Sequence, residues 1–470
     1  MSVTRRQLLR TGAAGAIALG VGGPLGGRLA RAALPLQPGV VPDLLRAPGE
    51  PTDALPFDHL VVLMTENHSF DCYFGMLPRL GQPHADGFRF DNLGQPANRN
   101  PLDGGYVLPY RATSECQGSV TQKWNSTHKQ IDGGRMDGFA TTSTQSMVYW
   151  TDADLPFYYS LAKTFTLANR WFCSAPCQTY PNRRFLMAGT AYGNISTSNS
   201  SLQDPPPPNG TIFDQLSAHG ISWRNYFTDL PSTGIIPSII EKHPSGLAPI
   251  SSFFADCAAG TLPAVSLVDP EFGVAGEVGG PLSSVPLPPA ATAGDRVSAQ
   301  GGSEENPQDI QIGQAFAARV VNAVLQSPAW PRTLLVWTYD EHGGYYDHVP
   351  PPSAVAPDNI PPELGPNDIP GGYDIYGPRV PTVVVSPYSK SRSVTNVVHD
   401  HTSILATIEH KWNLPPLTKR DAAAATLADF LDTSRPALLE PPALAEPGEL
   451  VSGEENCDTS NPQLPAHQGG

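Results

Sequence analysis

Two stretches of the chain end an apolar run in acids. In "FDHLVVLMTENHSFDCYFG", residues 57–75, five apolar residues from Leu60 to Met64 run straight into Thr65, Glu66, Asn67 and His68. In "RTLLVWTYDEHGGYYDHV", residues 332–349, the run Leu334 to Trp337 leads into Asp340, Glu341 and His342. Gly343 and Gly344 then permit a sharp turn before Asp347 and His348, and "PAVSLVD" ends in the same way at Asp269. Carboxylates gathered at neighbouring strand ends repel one another and raise each other's pKa. A divalent cation removes that cost, and oxygen ligands suit a hard or borderline metal. Glu66, Asn67, Asp340 and Glu341 are therefore candidate metal ligands, with the metal's identity open. The plain alternative, solvated acids in surface loops, is weakened because the pattern recurs at more than one strand.

Such a site needs a nucleophile. "SAPCQTYPNRRFLMAGTAYG", residues 174–193, places Thr179 just before Pro181 and a helical pattern. Backbone N–H groups at a helix start favour a phosphate, and a threonine hydroxyl on a metal is an activated nucleophile. By spacing alone, a threonine there is more often a helix cap.

The elements that must position these residues follow from periodicity. Residues 57–64 read as a strand. Residues 151–172 read as a helix, with Tyr158, Leu161, Ala162 and Phe165 on one face and Thr151 or Asp152 as its cap. "GTIFDQLSAHGISWRNYF" reads as a helix broken at Gly220 and followed by a strand, and "PAVSLVD" as a short strand. Residues 270–306 form a long loop. "NPQDIQIGQAFAARVVNAVLQS" reads as a helix capped by Asn306, with Pro307 in its first turn and Asp309 suiting its dipole. "RTLLVWTYDEHGG" and "RVPTVVVSPYS" read as strands and "HDHTSILATIEHKW" as a helix. Apolar strands alternating with amphipathic helices imply an α/β fold, with helices on both faces of a mostly parallel sheet. In such sheets ligands bind beyond the carboxyl ends of the strands, where these acids lie.

At the N-terminus, Arg5 and Arg6 precede a mild apolar stretch, Gly12 to Val21, too short and too glycine-rich to span a bilayer. Ala30-Arg31-Ala32 offers a cleavage site. Residues 1–32 thus read as a twin-arginine signal handled by the export machinery, implying a secreted, periplasmic or cell-surface bacterial protein. Losing the five arginines of that segment takes the formal net charge from −15 to −20, which gives no general attraction to nucleic acid or anionic membrane. No other segment could span a membrane. Six cysteines, Cys72, Cys116, Cys173, Cys177, Cys257 and Cys457, allow three disulfides after export. Cys173 and Cys177 have the spacing of half a zinc site but lack a second pair.

The motifs "ENHSFDCYFG", "THKQIDGGRMDGF", "QTYPNRRFLMAGT", "WTYDEHGGYYDHV" and "HDHTSIL", in this order over residues 56–415, resemble the bacterial phospholipase C / acid phosphatase family, which includes the plant non-specific phospholipases C. The resemblance implies an alkaline-phosphatase-like α/β core and phosphoester hydrolysis through a phospho-enzyme. It makes Glu66 and Asn67 ligands of metal or phosphate, Thr179 the nucleophile, and Asp340 and Glu341 the metal carboxylates. It makes His128, in "STHKQ", a phosphate-contacting histidine or leaving-group acid. His348 and His401 also match family positions, with a direct or a supporting role open for each. The family usually has a histidine in an acid-x-His-Pro motif where this chain has Asn306. An amide can donate a hydrogen bond there but cannot act as a general acid. Either Asn306 is now a helix cap, or leaving-group protonation falls to His128 alone or is not needed for acidic leaving groups. The resulting expectation is a phosphoesterase domain over 33–431 with an insertion around 190–306, then a Pro-rich acidic tail, 432–470. The expected activity is metal-assisted hydrolysis of phospholipids or related esters through phospho-threonine. Alternatives are an acid phosphatase on soluble monoesters, or a binding protein that has lost catalysis. "PFYYSL" or the 270–303 loop would supply an apolar wall for a lipid.

Overall fold

The computed structural model describes residues 42–118, 120–272, 302–306 and 309–448. The proposed signal, residues 1–32, and most of the long loop lie outside the described residues.

The opening apolar run forms strand β1, His59–Thr65, in which every residue from Leu60 onward is buried. Side chains alternate between the two faces of a strand, so burial of all of them means that both faces are covered. The other strands of the central sheet are β2 (Thr166–Ala168), β3 (Trp223–Phe227), β4 (Leu247–Pro249), β5 (Val265–Val268), β6 (Thr333–Tyr339), β7 (Thr382–Val385) and β8 (Val394–Thr395). Among the described residues they are ordered β8-β2-β7-β6-β1-β5-β3-β4. All neighbours pair parallel except β7, which runs antiparallel to both β6 and β2. The α/β expectation is met, with a mostly parallel sheet.

Register decides the site. His59 pairs with Thr333 and Thr65 with Tyr339, without a slip. Glu66 and Asp340 therefore leave adjacent parallel strands at the same level, and the Asp340 N–H donates to the Thr65 carbonyl at 3.1 Å.

Five helices matter to this site: α1 (Trp124–Ile131), α2 (Pro156–Thr164), α3 (Thr179–Ala188), α4 (Ile310–Gln326) and α5 (Thr402–Trp412). Helix α4 packs on β1, β6 and α2, and α5 packs on α3. No helix among the described residues is long and apolar enough to cross a membrane.

Several expectations are corrected. The 151–172 helix is only Pro156–Thr164, with no side-chain cap, and Thr166–Ala168 is a strand of the central sheet. A short strand buried on both faces and the apolar face of a helix are hard to separate over so few residues. Asn306 does not cap α4. Asp309 does, accepting from the Gln311 N–H at 2.8 Å. Within the stretch around 190–306, Trp223–Phe227, Leu247–Pro249 and Val265–Val268 are β3, β4 and β5 of the central sheet. The start of the expected tail is packed: the Trp330 indole donates to the Leu438 carbonyl at 3.1 Å, and Leu438 and Leu444 lie against the core. Cys72, Cys173, Cys177 and Cys257 are free, buried thiols, so a framework of three disulfides does not form. Cys457 lies outside the described residues.

Candidate active site

The chain turns sharply as it leaves β1. Asn67 takes a left-handed conformation, φ +69°, which is unusual for a residue with a side chain and is found where the surroundings hold it. Its N–H donates to Asp340 Oδ1 at 3.2 Å. The same oxygen accepts the Glu341 N–H at 2.7 Å. Gly343 makes the approach possible: its φ is +64°, and a Cβ there would stand 1.9 Å from the Asn67 carbonyl oxygen. Glu341 Oε2 accepts from the Gly343 N–H at 2.8 Å. The two acidic strand ends are thus locked together by backbone donors.

Thr179 is the first residue of α3. Asn182 staples the turn before it, accepting from the Ala175 N–H at 3.0 Å and donating to the Cys177 carbonyl at 2.8 Å. The helix start is a thin anion site by itself. Pro181 has no N–H, and the Tyr180 N–H is taken by Thr197 Oγ1 at 3.3 Å.

The stronger cation is Arg183, one helical turn beyond Thr179 and so on the same face. Its side chain is buried. Nε donates to Asp340 Oδ2 at 3.1 Å, and Nη2 lies 3.5 Å from Glu66 Oε1. Nη1 has no hydrogen-bond partner. Thr179, Arg183, Glu66 and Glu305 line one cavity of about 250 Å3, whose other wall is apolar: Leu202, Leu230, Pro231, Ile235 and Phe272.

Arg183 does not neutralise this cluster. Burial drives the Glu66 carboxyl well above the usual carboxylate range, and the charges of Glu305 and Asp340 push it the same way. Burial raises Asp340 against the opposing pull of Arg183. Burial and then Asp340 raise Glu341. Two buried oxygens, Asn67 Oδ1 and Glu341 Oε1, have no hydrogen-bond partner. Buried polar atoms are rarely left this way unless something else is bound. Hard oxygen donors, excess negative charge and orphaned oxygens together fit a divalent cation.

The expected histidines are not gathered at this cavity. His128, on α1, is tied by Nδ1–H to the Trp124 carbonyl at 2.8 Å, and burial lowers its pKa. With Nδ1–H on that carbonyl, the neutral form of the ring presents a lone pair at Nε2, and only the protonated form could give a leaving group a proton there. Its link to the nucleophile is indirect: Trp124 packs in one cluster with Ala175 and Cys177. His401 supports the site from behind. Nε2–H donates to the Asp340 carbonyl at 2.7 Å, and Nδ1 accepts from the Trp171 indole at 3.4 Å. Asn306 is buried and donates to the Tyr345 hydroxyl.

His348 belongs to a separate network. Its Nδ1 lies 2.7 Å from Asp71 Oδ2, and Arg379 pairs with Asp71 at 3.1 Å and Asp347 at 2.9 Å. Burial opposes the imidazolium, but Asp71 and Asp86 outweigh it and raise His348 to about 9. Asp71, Asp347 and His348 are also the set, among the described residues, whose ligand atoms lie within 4.8 Å of one another. The guanidinium of Arg379 already supplies the positive charge there. Glu66, Asp340 and Glu341 are spaced more loosely, with Arg183 between the first two.

Sequence reasoning missed Arg183 and Glu305. Arg183 was legible in "TYPNRR", because the i+4 spacing puts it on the face of Thr179. Glu305 lies in an irregular segment with no periodic signal.

A sequence profile of the phosphoesterase family matches residues 57–415. The chain is 30% identical over 409 residues to non-specific phospholipase C6 of Arabidopsis thaliana, covering 80% of this chain and 72% of that protein. It is 29% identical over 420 residues to phospholipase C A of Mycobacterium tuberculosis, covering 78% and 74%. Among solved structures it is similar to an alkaline phosphatase superfamily protein from Vibrio parahaemolyticus, with 10% identity, 75% and 78% coverage and a TM-score of 0.34. At that distance the fold assignment stands on the sheet order described above.

Proposed function

This chain belongs to the phosphoesterase family, whose members hydrolyse phosphoric esters, and from that premise we propose that it is a metal-assisted phospholipase C acting through a phospho-threonine. The observation that carries the proposal is the shared cavity, in which Thr179, Arg183 and Glu66 face an apolar wall.

Thr179 Oγ attacks phosphorus and displaces the lipid alcohol, which leaves with the proton given up by the hydroxyl, so that threonine carries the phosphoryl group with its head group still attached. Water then cleaves the threonine ester, so one water is consumed and the alcohol and the head group's phosphate monoester are released. Arg183 Nη1 is the donor available to a phosphoryl oxygen, and a buried guanidinium contact to developing negative charge is a strong stabiliser. Glu66, Asn67, Asp340 and Glu341 would hold a divalent cation, which supplies a lowered pKa at the attacking hydroxyl and offsets charge on the phosphate. His401 positions Asp340 through its carbonyl. His348, in the Arg379 network, is a structural residue.

The apolar wall favours an ester with a hydrocarbon leaving group over a small soluble monoester. Export by the twin-arginine route is part of the same reading. It would place Cys116 and Cys457, the cysteines left after the four free thiols, in an oxidising compartment.

The test compares phosphatidylcholine vesicles, p-nitrophenyl phosphorylcholine and p-nitrophenyl phosphate as substrates, with and without chelator. Chelator-sensitive release of phosphorylcholine from vesicles, together with acid-stable phosphorylcholine on Thr179 in quenched protein, is the expected result. Turnover of the monoester alone would remove the lipid reading. Phosphate trapped on another residue would remove the threonine.

A further inference from the structure

The apolar wall of the cavity is built from two chain segments, each held by an acid of the other. Phe272 lies beyond β5, and its N–H donates to both carboxylate oxygens of Asp229, at 3.1 Å each. Asp229 lies beyond β3, the parallel neighbour of β5. In return the Ser232 N–H, beyond β3, donates at 2.7 Å to Oδ2 of Asp269, the residue that follows β5. Both acids are buried. Asn225 extends the brace: its amide donates to the same Asp269 oxygen at 2.6 Å, and its own oxygen accepts from the Thr233 hydroxyl at 2.7 Å. Arg184 ties the far side, with Nη2 donating to the Ser201 and Ile235 carbonyls at 2.6 and 3.3 Å. Backbone donors engage the acids at these two strand ends, so the wall is fixed by the fold itself.

Phe272 stands where this wall meets the charged side of the cavity. Its ring covers the Arg183 guanidinium, whose Cζ lies 5.0 Å from the ring centroid. A ring over that face keeps water from it and attracts the cation. The Arg183 edge without a partner is Nη1, and a phosphoryl group bound there has its substituents beside Phe272. Of the two stretches expected to wall a lipid, the 270–303 loop contributes Phe272. By contrast, Phe157, Tyr158, Tyr159 and Leu161 of "PFYYSL" are buried in the core.

We propose that Phe272, held in place by Asp229, is a specificity-determining residue that contacts the hydrocarbon of the ester's alcohol half beside the phosphoryl group on Arg183. This rests on the phosphoryl-binding cavity of the proposed function.

The experiment measures binding of two anions that share a charged group and differ only in hydrocarbon, methylphosphonate and hexylphosphonate. Full-length protein as isolated, with its metal content measured, is titrated calorimetrically with each. Hexylphosphonate should bind wild type more tightly by about a hundredfold or more. Phe272→Ala should cut that ratio by about tenfold or more and leave methylphosphonate nearly unchanged, because Asp340 and Glu66 still hold Arg183. Phe272→Leu should keep most of the ratio, since an apolar side chain still closes the wall. Asp229→Ala should lower the ratio as Phe272→Ala does, and Asp229→Asn should keep most of it, because an amide oxygen can still accept the Phe272 N–H. Equal weakening of both phosphonates in Phe272→Ala would mean that the ring acts only through Arg183, and overturns the proposal. So does an unchanged ratio in Phe272→Ala, or a wild type that binds the two phosphonates equally. An unchanged ratio in Asp229→Ala overturns the role of Asp229. A wild type that binds neither phosphonate overturns the phosphoryl-binding cavity as well. Thermal melts check that each variant is folded, and half-buried Phe272 carries the test should Asp229→Ala fail to fold.

Discussion

Replacing Arg183 by methionine tests how the acidic strand ends are held together. The substitution keeps much of the aliphatic bulk but removes the guanidinium that reaches both Glu66 and Asp340. It also removes donors to the Met64 and Thr65 carbonyls at 3.3 and 3.4 Å. Taking one partner from a buried ion pair costs on the order of 3–5 kcal/mol, because an uncompensated charge is left in low dielectric. Here the carboxylates can escape by taking up protons, and their pKa values are already raised. The sign follows. Without Arg183 their folded-state pKa values rise further above the unfolded values, so stability is kept at low pH and lost as pH increases. The loss in metal-free protein should therefore be smallest near about pH 5 and approach ~3 kcal/mol or more near about pH 8. A saturating divalent cation should shrink it, because the ion supplies the missing positive charge. The assay is urea denaturation followed by tryptophan fluorescence, with and without cation, at both pH values. A loss below ~1 kcal/mol at the higher pH, or one indifferent to pH and cation, would refute the view that Arg183 is the cluster's resident cation.

Four other outcomes are expected. Thr179→Ala should keep its fold and lose turnover; a residual rate above about a tenth of wild type, a barrier change under ~1.4 kcal/mol, would reject the nucleophile. Extended dialysis against a strong chelator should remove activity, and a divalent ion should restore it, with metal content measured in parallel; full activity in protein assayed as metal-free would exclude the metal. Glu304, pushed up to about 7 by burial from an ordinary value of 4.5, contributes stability that is complete below the lower value and lost as pH rises through the higher one. Relative to Glu304→Gln, wild type should thus lose about 3 kcal/mol across that span in paired denaturation curves; parallel curves would exclude titration of Glu304. His348 is raised to about 9 by Asp71 and Asp86 against burial, so its contribution is present below about 6.5 and lost as pH climbs through the raised value. His348→Gln should lower thermal stability with little effect on kcat, and a large fall in kcat at unchanged stability would return this residue to the reaction.

The sequence by itself carried the α/β class, the strand ends that bear Glu66, Asn67, Asp340 and Glu341, and Thr179 at a helix start. These are local statements. An apolar run and the acids after it share one strand, and nothing distant is needed to place them at its end. The family resemblance likewise lay in ordered motifs. Pairing was decided only by the tertiary structure. That β1 and β6 are adjacent and in register is a long-range fact, and it is what turns two acidic ends into one site. Thr166–Ala168 became a strand because its neighbours in the sheet supply hydrogen bonds that its own periodicity could not announce. Asn306 lost its expected cap role because Asp309 is the residue whose side chain meets a free N–H of the helix start. The histidines show the limit most plainly. A motif places His128, His348 and His401 in the family's pattern, but only packing reveals that one donates to the Asp340 carbonyl, one joins Arg379, and one is held by Trp124. Arg183 and Glu305 entered for the same reason: the partners that give a side chain its role come from parts of the chain far apart in sequence.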